Sequence, residues 1–570
     1  MEANNKSINI YPLNNPSDYD RYNMIEDELK KEERLEDLKN IIDLMKEPKA
    51  IKTICESKNG KKAKIAIIGA GEAGLAAAFE LKKIGCNITI FDASNRVGGR
   101  VYTYYFDRLN NYYGDFGDIS IPVSHYTTWH YINLLNIKTR SLINNNQYYY
   151  LRGEGAYNKE RQIIKNIYPK YDLTSIDKRK IKNRDYKVCD KYLKSLTTEE
   201  KKELLDIRSN YSEKIIDLDK ISYRKAYENL GFSQEAINMM GYINGINEFY
   251  DISLTELLQK QYSLDFSNNY TIEGGMIKLP LALYKAIIDD ENDVIKDIDK
   301  KDLGKVNSKL GVVVEAIYNL DEKEKIALRY LDLESKIEGE EEFDYVICAI
   351  PFSSLKRIDF KNSLSNGKLR ALDEIDFKNS QKIYLYVKER FWESGGKNKR
   401  IVGGRTITDL PLYSIYYPSD HRIYSSDEKG NKVIKMNRNY KEPGVLLASY
   451  SLGNKAKDFS FIDDEIKIND TIRYIEKIHN LPKDYLNNIL IDYKSISWAD
   501  IQYIWGFSTL YKPEDKILHS FSSVNPEMNN KLFFAGEHAS SKHGTQQGAL
   551  QSGMIAANTI AEEISKKYSF

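Results

Sequence analysis

Three features of the sequence predict a mixed α/β fold with a helical insertion. A short β-branched run, Lys64-Ile65-Ala66-Ile67-Ile68, leads into a glycine-rich turn and an Ala-rich helical stretch. Residues 131–267 hold mostly helical patterns, dense in charge and poor in strand signals. Strand-like alternation returns at 311–320, 326–333, 344–350, 381–389 and 444–452, before a C-terminal strand, Gly-rich loop and helix.

The chain of 570 residues begins with a polar extension over residues 1–60. Within it, 18–47 is rich in Glu, Lys and Leu, and Leu29, Leu35, Leu38, Ile41, Ile42 and Met45 fall near helical spacing. That spacing predicts an amphipathic helix or helical pair on the main body, its charges on a solvated face. Lys plus Arg number 84 and Asp plus Glu 83, a net charge of +1. Such balance argues against nucleic acid as a partner. No apolar run approaches the roughly 18 residues needed to cross a bilayer, so no membrane association is expected. The first fifty residues lack the apolar segment of a secretory signal. Cys55, Cys86, Cys189 and Cys348 are scattered, without a CxxC pair or a disulfide framework, which predicts a reducing, cytoplasmic location. Sparse, unclustered His and Cys predict no metal site.

The strongest motif follows the first strand. Gly69-Ala70-Gly71-Glu72-Ala73-Gly74 is a GxGxxG, then come a helical stretch and a second strand, Asn87 to Phe91. Asp92 lies 23 positions after Gly69, close to the roughly 20 expected for the acid that holds ribose hydroxyls. Gly69 permits the tight turn, Gly71 lets the backbone approach a pyrophosphate, and Gly74 packs helix against strand. The helix N-terminus adds partial positive charge for the phosphates. A lone GxGxxG is only a turn; strand, turn, helix, strand and acid in register specify a dinucleotide site.

Arg96-Val97-Gly98-Gly99-Arg100 comes next, an RxGGR whose guanidinium groups flank a flexible backbone and suit phosphate and carbonyl acceptors. With it the sequence resembles the flavin-containing amine oxidase family, closest to the L-amino acid oxidase and tryptophan 2-monooxygenase branch. Gly274-Gly275-Met276, Lys382-Ile383-Tyr384-Leu385, Thr408-Asp409-Leu410-Pro411, Leu446 to Tyr450 and Ala535-Gly536-Glu537 carry the resemblance from about residue 60 to 565. It implies FAD gripped by both ends of the chain, hence a discontinuous Rossmann-like FAD-binding domain over 61–130, 268–355 and 500–570. An α+β substrate domain with a mixed sheet would combine a helical part, 131–267, with a sheet part, 356–499. Besides Gly69, Gly71, Gly74 and Asp92, the implied cofactor contacts are Arg96, Gly99 and Arg100 of RxGGR and Val313 on the adenine side. Gly536, Glu537 and Gly553 belong to the closing segment, with Glu537 at ribitol or pyrophosphate hydroxyls. No cysteine follows Cys348, whereas covalently flavinylated relatives use a C-terminal cysteine, so FAD is expected to be non-covalent.

The activity implied is oxidative deamination of an L-amino acid or close derivative. Hydride passes from the C–H beside a neutral amine to flavin N5, O2 reoxidises the flavin to give H2O2, and the imine hydrolyses to an oxo acid and ammonia. Lys382 matches the family lysine that holds a water near N5, and Tyr450 the tyrosine that binds a substrate carboxylate. Trp505, flanked by Tyr503 and Phe507, falls in a substrate-facing segment. Two positions depart from the family. GAMRIP becomes Gly117-Asp118-Ile119-Ser120-Ile121-Pro122, so the carboxylate-clamping arginine is Ser120 here, while His125 is retained. HGW becomes His543-Gly544-Thr545, which removes an aromatic wall. Asp118 is expected to be solvated or a local cap. These departures leave as alternatives an amine without a free carboxylate (a polyamine, or a modified or carrier-bound amino acid) and a monooxygenase giving an amide. A non-catalytic flavin protein is a further alternative, and a nicotinamide dehydrogenase fits the motifs least. A homodimer is in keeping with the family.

Overall fold

The run Lys64–Ile68 forms the centre of a five-stranded parallel sheet in the computed structural model. The structure describes residues 12, 14–60, 63–142, 147–291, 293–361, 363–394, 400–426, 432–436 and 439–568. Strand order is Val306–Leu310, Asn87–Asp92, Lys64–Ile68, Tyr345–Cys348 and Leu532–Phe534. All four pairings are parallel. Ile65, Ala66 and Ile67 are fully buried, as expected of a strand covered on both faces. One face is covered by the helix Glu72–Lys83, which packs against the final helix, Gln546–Tyr568. The first and last segments of the chain thus form one layer. On the other face lies an antiparallel sheet of Val312–Leu320, Lys325–Asp332 and Glu338–Phe343.

The edge strand Val306–Leu310 leaves no clear signal in the sequence. Its sequence, VNSKL, is partly exposed along its length and lacks an apolar alternation to read.

A second, seven-stranded sheet runs in the order Leu490–Ser497, Ser380–Val387, Gly444–Leu452, Ser414–Tyr416, Arg405–Thr408, Gln147–Leu151 and Glu154–Tyr157. It is mixed: Arg405–Thr408 is parallel to Gln147–Leu151, while the other neighbours are antiparallel. The stretch 131–267, expected to be mostly helical, instead carries strands in its first part. Thr139–Ser141, Gln147–Leu151 and Glu154–Tyr157 are strands, and helices dominate only from Ser175 onward. Tyr148, Tyr149 and Tyr150 explain the difference: aromatic residues favour a pleated sheet, yet three in a row hide the alternation of its faces. A small sheet, Ile121–Pro122, Asn269–Ile272 and Thr139–Ser141, lies between the two large ones in the chain's path.

The N-terminal segment forms helices Asp18–Lys31 and Leu38–Met45, with a capping box between Ser17 and Asp20 starting the first. Met24, Ile25 and Leu29 are buried against the body. Its charges are not all solvated. Arg34 is buried, donates to the Tyr262 carbonyl at 3.0 Å and pairs with Asp37, which Lys201 also reaches. These contacts lock the extension to the helical region. Residues 1–11 and 13 of the extension lie outside the described residues. Among the described residues no helix is long and apolar enough to cross a membrane.

Candidate active site

A cleft of about 600 Å³ runs from Asp92 and Val312–Val314, past the glycine turns, to Asp118 and Gln546. Gly69 adopts φ +112°, and a Cβ there would stand 2.5 Å from the Ala349 carbonyl oxygen. Gly99, at φ +55°, would bring a Cβ within 3.3 Å of the Gly71 Cα. The two turns therefore touch and leave a backbone floor, onto which the helices from Glu72 and Gln546 both open. Asp92 lines the cleft and accepts from the Ala70 N–H at 2.7 Å and the Ser94 N–H at 2.8 Å. Arg96 donates to the Gly99 carbonyl at 2.7 Å and lies 4.8 Å over the Tyr102 ring, bracing the turn. Arg100 joins the chain ends: it donates to the Phe507 carbonyl and to Glu537 Oε1, both at 2.6 Å. Glu537 Oε2 accepts from the backbone of Gly544 at 2.9 Å and Thr509 at 3.3 Å. Val313 and Gly536 line the same cleft.

Gly74, Gly553, Trp505 and Thr545 sit at the edges of this cleft or behind it. Gly74 packs helix on strand, since a Cβ there would meet the Gly69 carbonyl oxygen at 2.0 Å. Gly553, expected at the cofactor, is instead a helix–helix contact, where a Cβ would stand 2.2 Å from the Ala73 carbonyl oxygen. Trp505 was expected at the substrate but lines the cofactor cleft under the Arg357 guanidinium, 4.0 Å from its ring. Its segment turns sharply, with Tyr503 at φ +67° and Trp505 at +49°, and is tied down by Ser354 donating to the Tyr503 carbonyl. Thr545 also lines the cofactor cleft and caps the last helix, accepting from the Gly548 N–H at 3.1 Å.

The cleft fits a dinucleotide cofactor. The glycine floor tolerates no Cβ at Gly69, and the two helix starts bring partial positive charge. Gln546 donates to Glu72 at 2.9 Å, while its own buried Oε1 finds no partner among the described residues, an acceptor open to a bound group.

A second cavity, of about 820 Å³, meets the first at Asp118, which lines both. Lys382 lies behind this junction, 1 % exposed, and lines neither space itself. Its Nζ donates to the carbonyl oxygens of Asp115 (3.1 Å) and Gly117, and lies 4.6 Å over the Tyr450 ring. Burial lowers the Lys382 pKa to about 8, with Asp118 and Asp115 opposing. Burial likewise raises Asp118 to about 6, opposed by the Ser120 N–H and by Lys382. Asp118 also caps its own turn, accepting from the Ile119 and Ser120 N–H groups at 2.9 and 3.3 Å.

Tyr450 and Ser120 line the second cavity; His125 does not. His125 was expected at the substrate, but its ring sits behind Asp265 at 3.2 Å, and Lys542 holds Asp265 at 2.6 Å. The cavity also exposes Arg140, Arg405, Tyr413 and Tyr416, none of which the sequence marked as functional. Arg405 and Tyr416 flank the Thr408-Asp409-Leu410-Pro411 segment that carries the resemblance. Arg140 lies in a strand inside the stretch read as helical.

The flavin-containing amine oxidoreductase family model matches residues 73–561. An L-amino-acid oxidase from Sistrurus catenatus edwardsii is 28% identical over 504 residues, covering 87% of this chain and 86% of the relative. One from Crotalus adamanteus is 27% identical over 503 residues with the same coverage. Among solved structures, putrescine oxidase bound to putrescine superposes with a TM-score of 0.64 at 16% identity, covering 87% of this chain and 98% of that one. Cyclohexylamine oxidase from Brevibacterium oxydans gives 0.62 at 14%, covering 89% and 100%. The match over most of the chain, together with the glycine-floored cleft, makes this protein a member of the flavin-containing amine oxidoreductase family, an FAD enzyme that oxidises CH–NH2 donors.

Proposed function

We propose that the enzyme deaminates an L-amino acid or a close derivative, with O2 as acceptor and H2O2, ammonia and an oxo acid as products. The observation that carries this reading is the single turn, Gly117-Asp118, standing between cofactor cleft and substrate cavity with the Lys382 ammonium packed against its back. Flavin bound in the cleft supplies the two-electron acceptor. The remaining work falls to this chain. The cavity must hold the substrate as a neutral amine beside the cleft, in a near-attack arrangement. Leu447 and the Tyr384 ring give one side of the cavity an apolar wall. Lys382 Nζ carries a proton below about pH 8 and can accept one above it, a value suited to proton transfer near neutrality. It reaches the site through the Gly117-Asp118 turn, which separates it from both spaces. Two guanidinium groups in the cavity, Arg140 and Arg405, suit a substrate that bears a carboxylate. No cysteine lines the cleft among the described residues, in keeping with non-covalent FAD.

The test is turnover of a panel of L-amino acids, their amides and their decarboxylated amines, measuring peroxide and identifying the product. Peroxide with oxo acid from amino acids supports the reading. Turnover confined to amines without a carboxylate, or an amide product in place of the oxo acid, contradicts it.

A further inference from the structure

Position 120, where the family's carboxylate-clamping arginine would stand, is Ser120, and the cavity around it contains another cation on the same face. In the small sheet, Ile121 pairs with Tyr270 and Arg140 pairs with Thr271. Ser120, one residue before Ile121, thus falls opposite Thr271 from one side while Arg140 stands opposite it from the other. Residues in register across neighbouring strands point to one face of a sheet, and Ser120, Thr271 and Arg140 all line the substrate cavity. With neighbouring strands about 4.8 Å apart, Arg140 rises about 10 Å from Ser120, close enough for a long side chain to command the same space.

We infer that Arg140 is the carboxylate anchor of the substrate cavity, relocated by two strands from position 120; this rests on the function proposed above. Its guanidinium reaches Ser419 Oγ at 3.2 Å and the Tyr113 hydroxyl. Among the described residues it forms no ion pair. Asp420, the acid nearest to it in electrostatic influence, is held by Arg390 through two bonds of 2.8 Å. The acids that line the cavity have partners of their own: Asp265 has Lys542, Glu32 has Arg34, Asp190 has Lys187, Asp115 accepts from Thr103 and the Met276 N–H, and Asp118 caps its own turn. A guanidinium that faces the cavity and makes no ion pair among the described residues is matched by a planar anion.

Arg140 also lies on the right side of the cavity. It shares with Lys382 an influence on Asp115, whose carbonyl Lys382 grips. Arg405 is one tyrosine farther on: the Tyr450 and Tyr416 rings are 5.9 Å apart, and Arg405 reaches the far hydroxyl at 3.3 Å. The strand bearing Arg140 is buttressed by the N-terminal extension, where Asn14 bridges Arg140 and Asn15 accepts from the Thr139 N–H at 2.7 Å. The extension thereby positions the anchor.

The experiment has a binding arm and a turnover arm, on the FAD-loaded full chain. Benzoate, a carboxylate without an amine, is titrated while its perturbation of the flavin absorbance is followed. An L-amino acid that is turned over is compared with its amide for the rate of flavin reduction. Arg140→Gln is expected to weaken benzoate at least tenfold and to erase the preference for the acid over the amide. Ser120→Arg placed in that background is expected to restore both, which a merely structural role for Arg140 would not allow. Unchanged benzoate affinity in Arg140→Gln, or a loss that appears in Arg405→Gln instead, overturns the inference. If Arg140→Gln does not fold, the Arg140→Lys variant carries the same comparison with a smaller loss expected. Should benzoate depend on Arg140 while no amino acid reduces the flavin, the anchor stands and the proposed function falls.

Discussion

The cofactor cleft and the substrate cavity share Asp118 but are assembled differently. The cleft is mainly backbone: glycine turns, helix starts and carbonyl groups, braced by Arg96, Arg100 and Glu537. Its glycine turns are local in sequence, and Arg100–Glu537 and Gln546–Glu72 tie the two ends of the chain together across it. The cavity is mainly side chains, drawn from strands at 139–141, 380–387, 405–408, 414–416 and 444–452 and from helices of the 175–262 region. A backbone site tolerates little change at its glycines, whereas a side-chain site can move a function from one strand to another.

The largest effect is expected in the cleft. Gly69→Ala places a Cβ 2.5 Å from the Ala349 carbonyl oxygen in a left-handed backbone, strain of about 1–3 kcal/mol before any clash. The variant should purify colourless and take up no FAD, checked by absorbance after incubation with FAD. A yellow, fully loaded Gly69→Ala protein would break the backbone account of this site.

At the junction, Lys382→Met should keep FAD yet slow flavin reduction by about 100-fold or more, the usual scale for a positioned proton-transfer group. The sign of the pH effect follows from the lowered Lys382 pKa: the group is protonated below about 8 and neutral above. Reduction by wild type should therefore rise with pH through about 8, and the rise should vanish in the variant. Stopped-flow reduction across pH 6–10 (a range of about four units) measures both.

Glu537→Gln weakens one charge-assisted tie between the ends of the chain, that to Arg100. Such bonds contribute about 1.5–3 kcal/mol, so FAD affinity should fall roughly tenfold to a hundredfold, measured by fluorescence titration of the apoprotein. Thr545→Ala should have the smallest effect. Losing the cap on Gly548 lowers stability by about 1 kcal/mol, seen as a lower Tm, with substrate affinity unchanged. A large change in substrate affinity instead would return Thr545 to the substrate cavity.

The same contrast explains what could be read from the sequence. Strand Lys64–Ile68, the glycine turn, Asp92 and RxGGR are contiguous, and each residue type has one conformational or electrostatic reason to be where it is. Glu537 was visible only through resemblance, because its partner Arg100 is 437 positions away. In the cavity, Lys382 and Tyr450 sat inside recognisable segments and are neighbours across a strand pair. His125, Trp505 and Thr545 were misplaced because their directions depend on turns and on a buried His125–Asp265–Lys542 network that no local pattern encodes. Arg140 escaped notice because its strand is three residues long and its importance comes from register with Thr271.

On the proposed function, an amine held in the Asp118-bounded cavity passes two electrons to flavin in the adjoining cleft. The most direct test of this transfer is to mix the FAD-loaded protein with L-amino acids in the absence of oxygen and follow the oxidised-flavin absorbance. At least one amino acid should bleach the flavin, admitting O2 should restore the colour with release of H2O2, and Lys382→Met should slow the bleaching. Flavin that stays oxidised with every amino acid and amine tried, in a fully loaded and folded protein, would contradict the transfer.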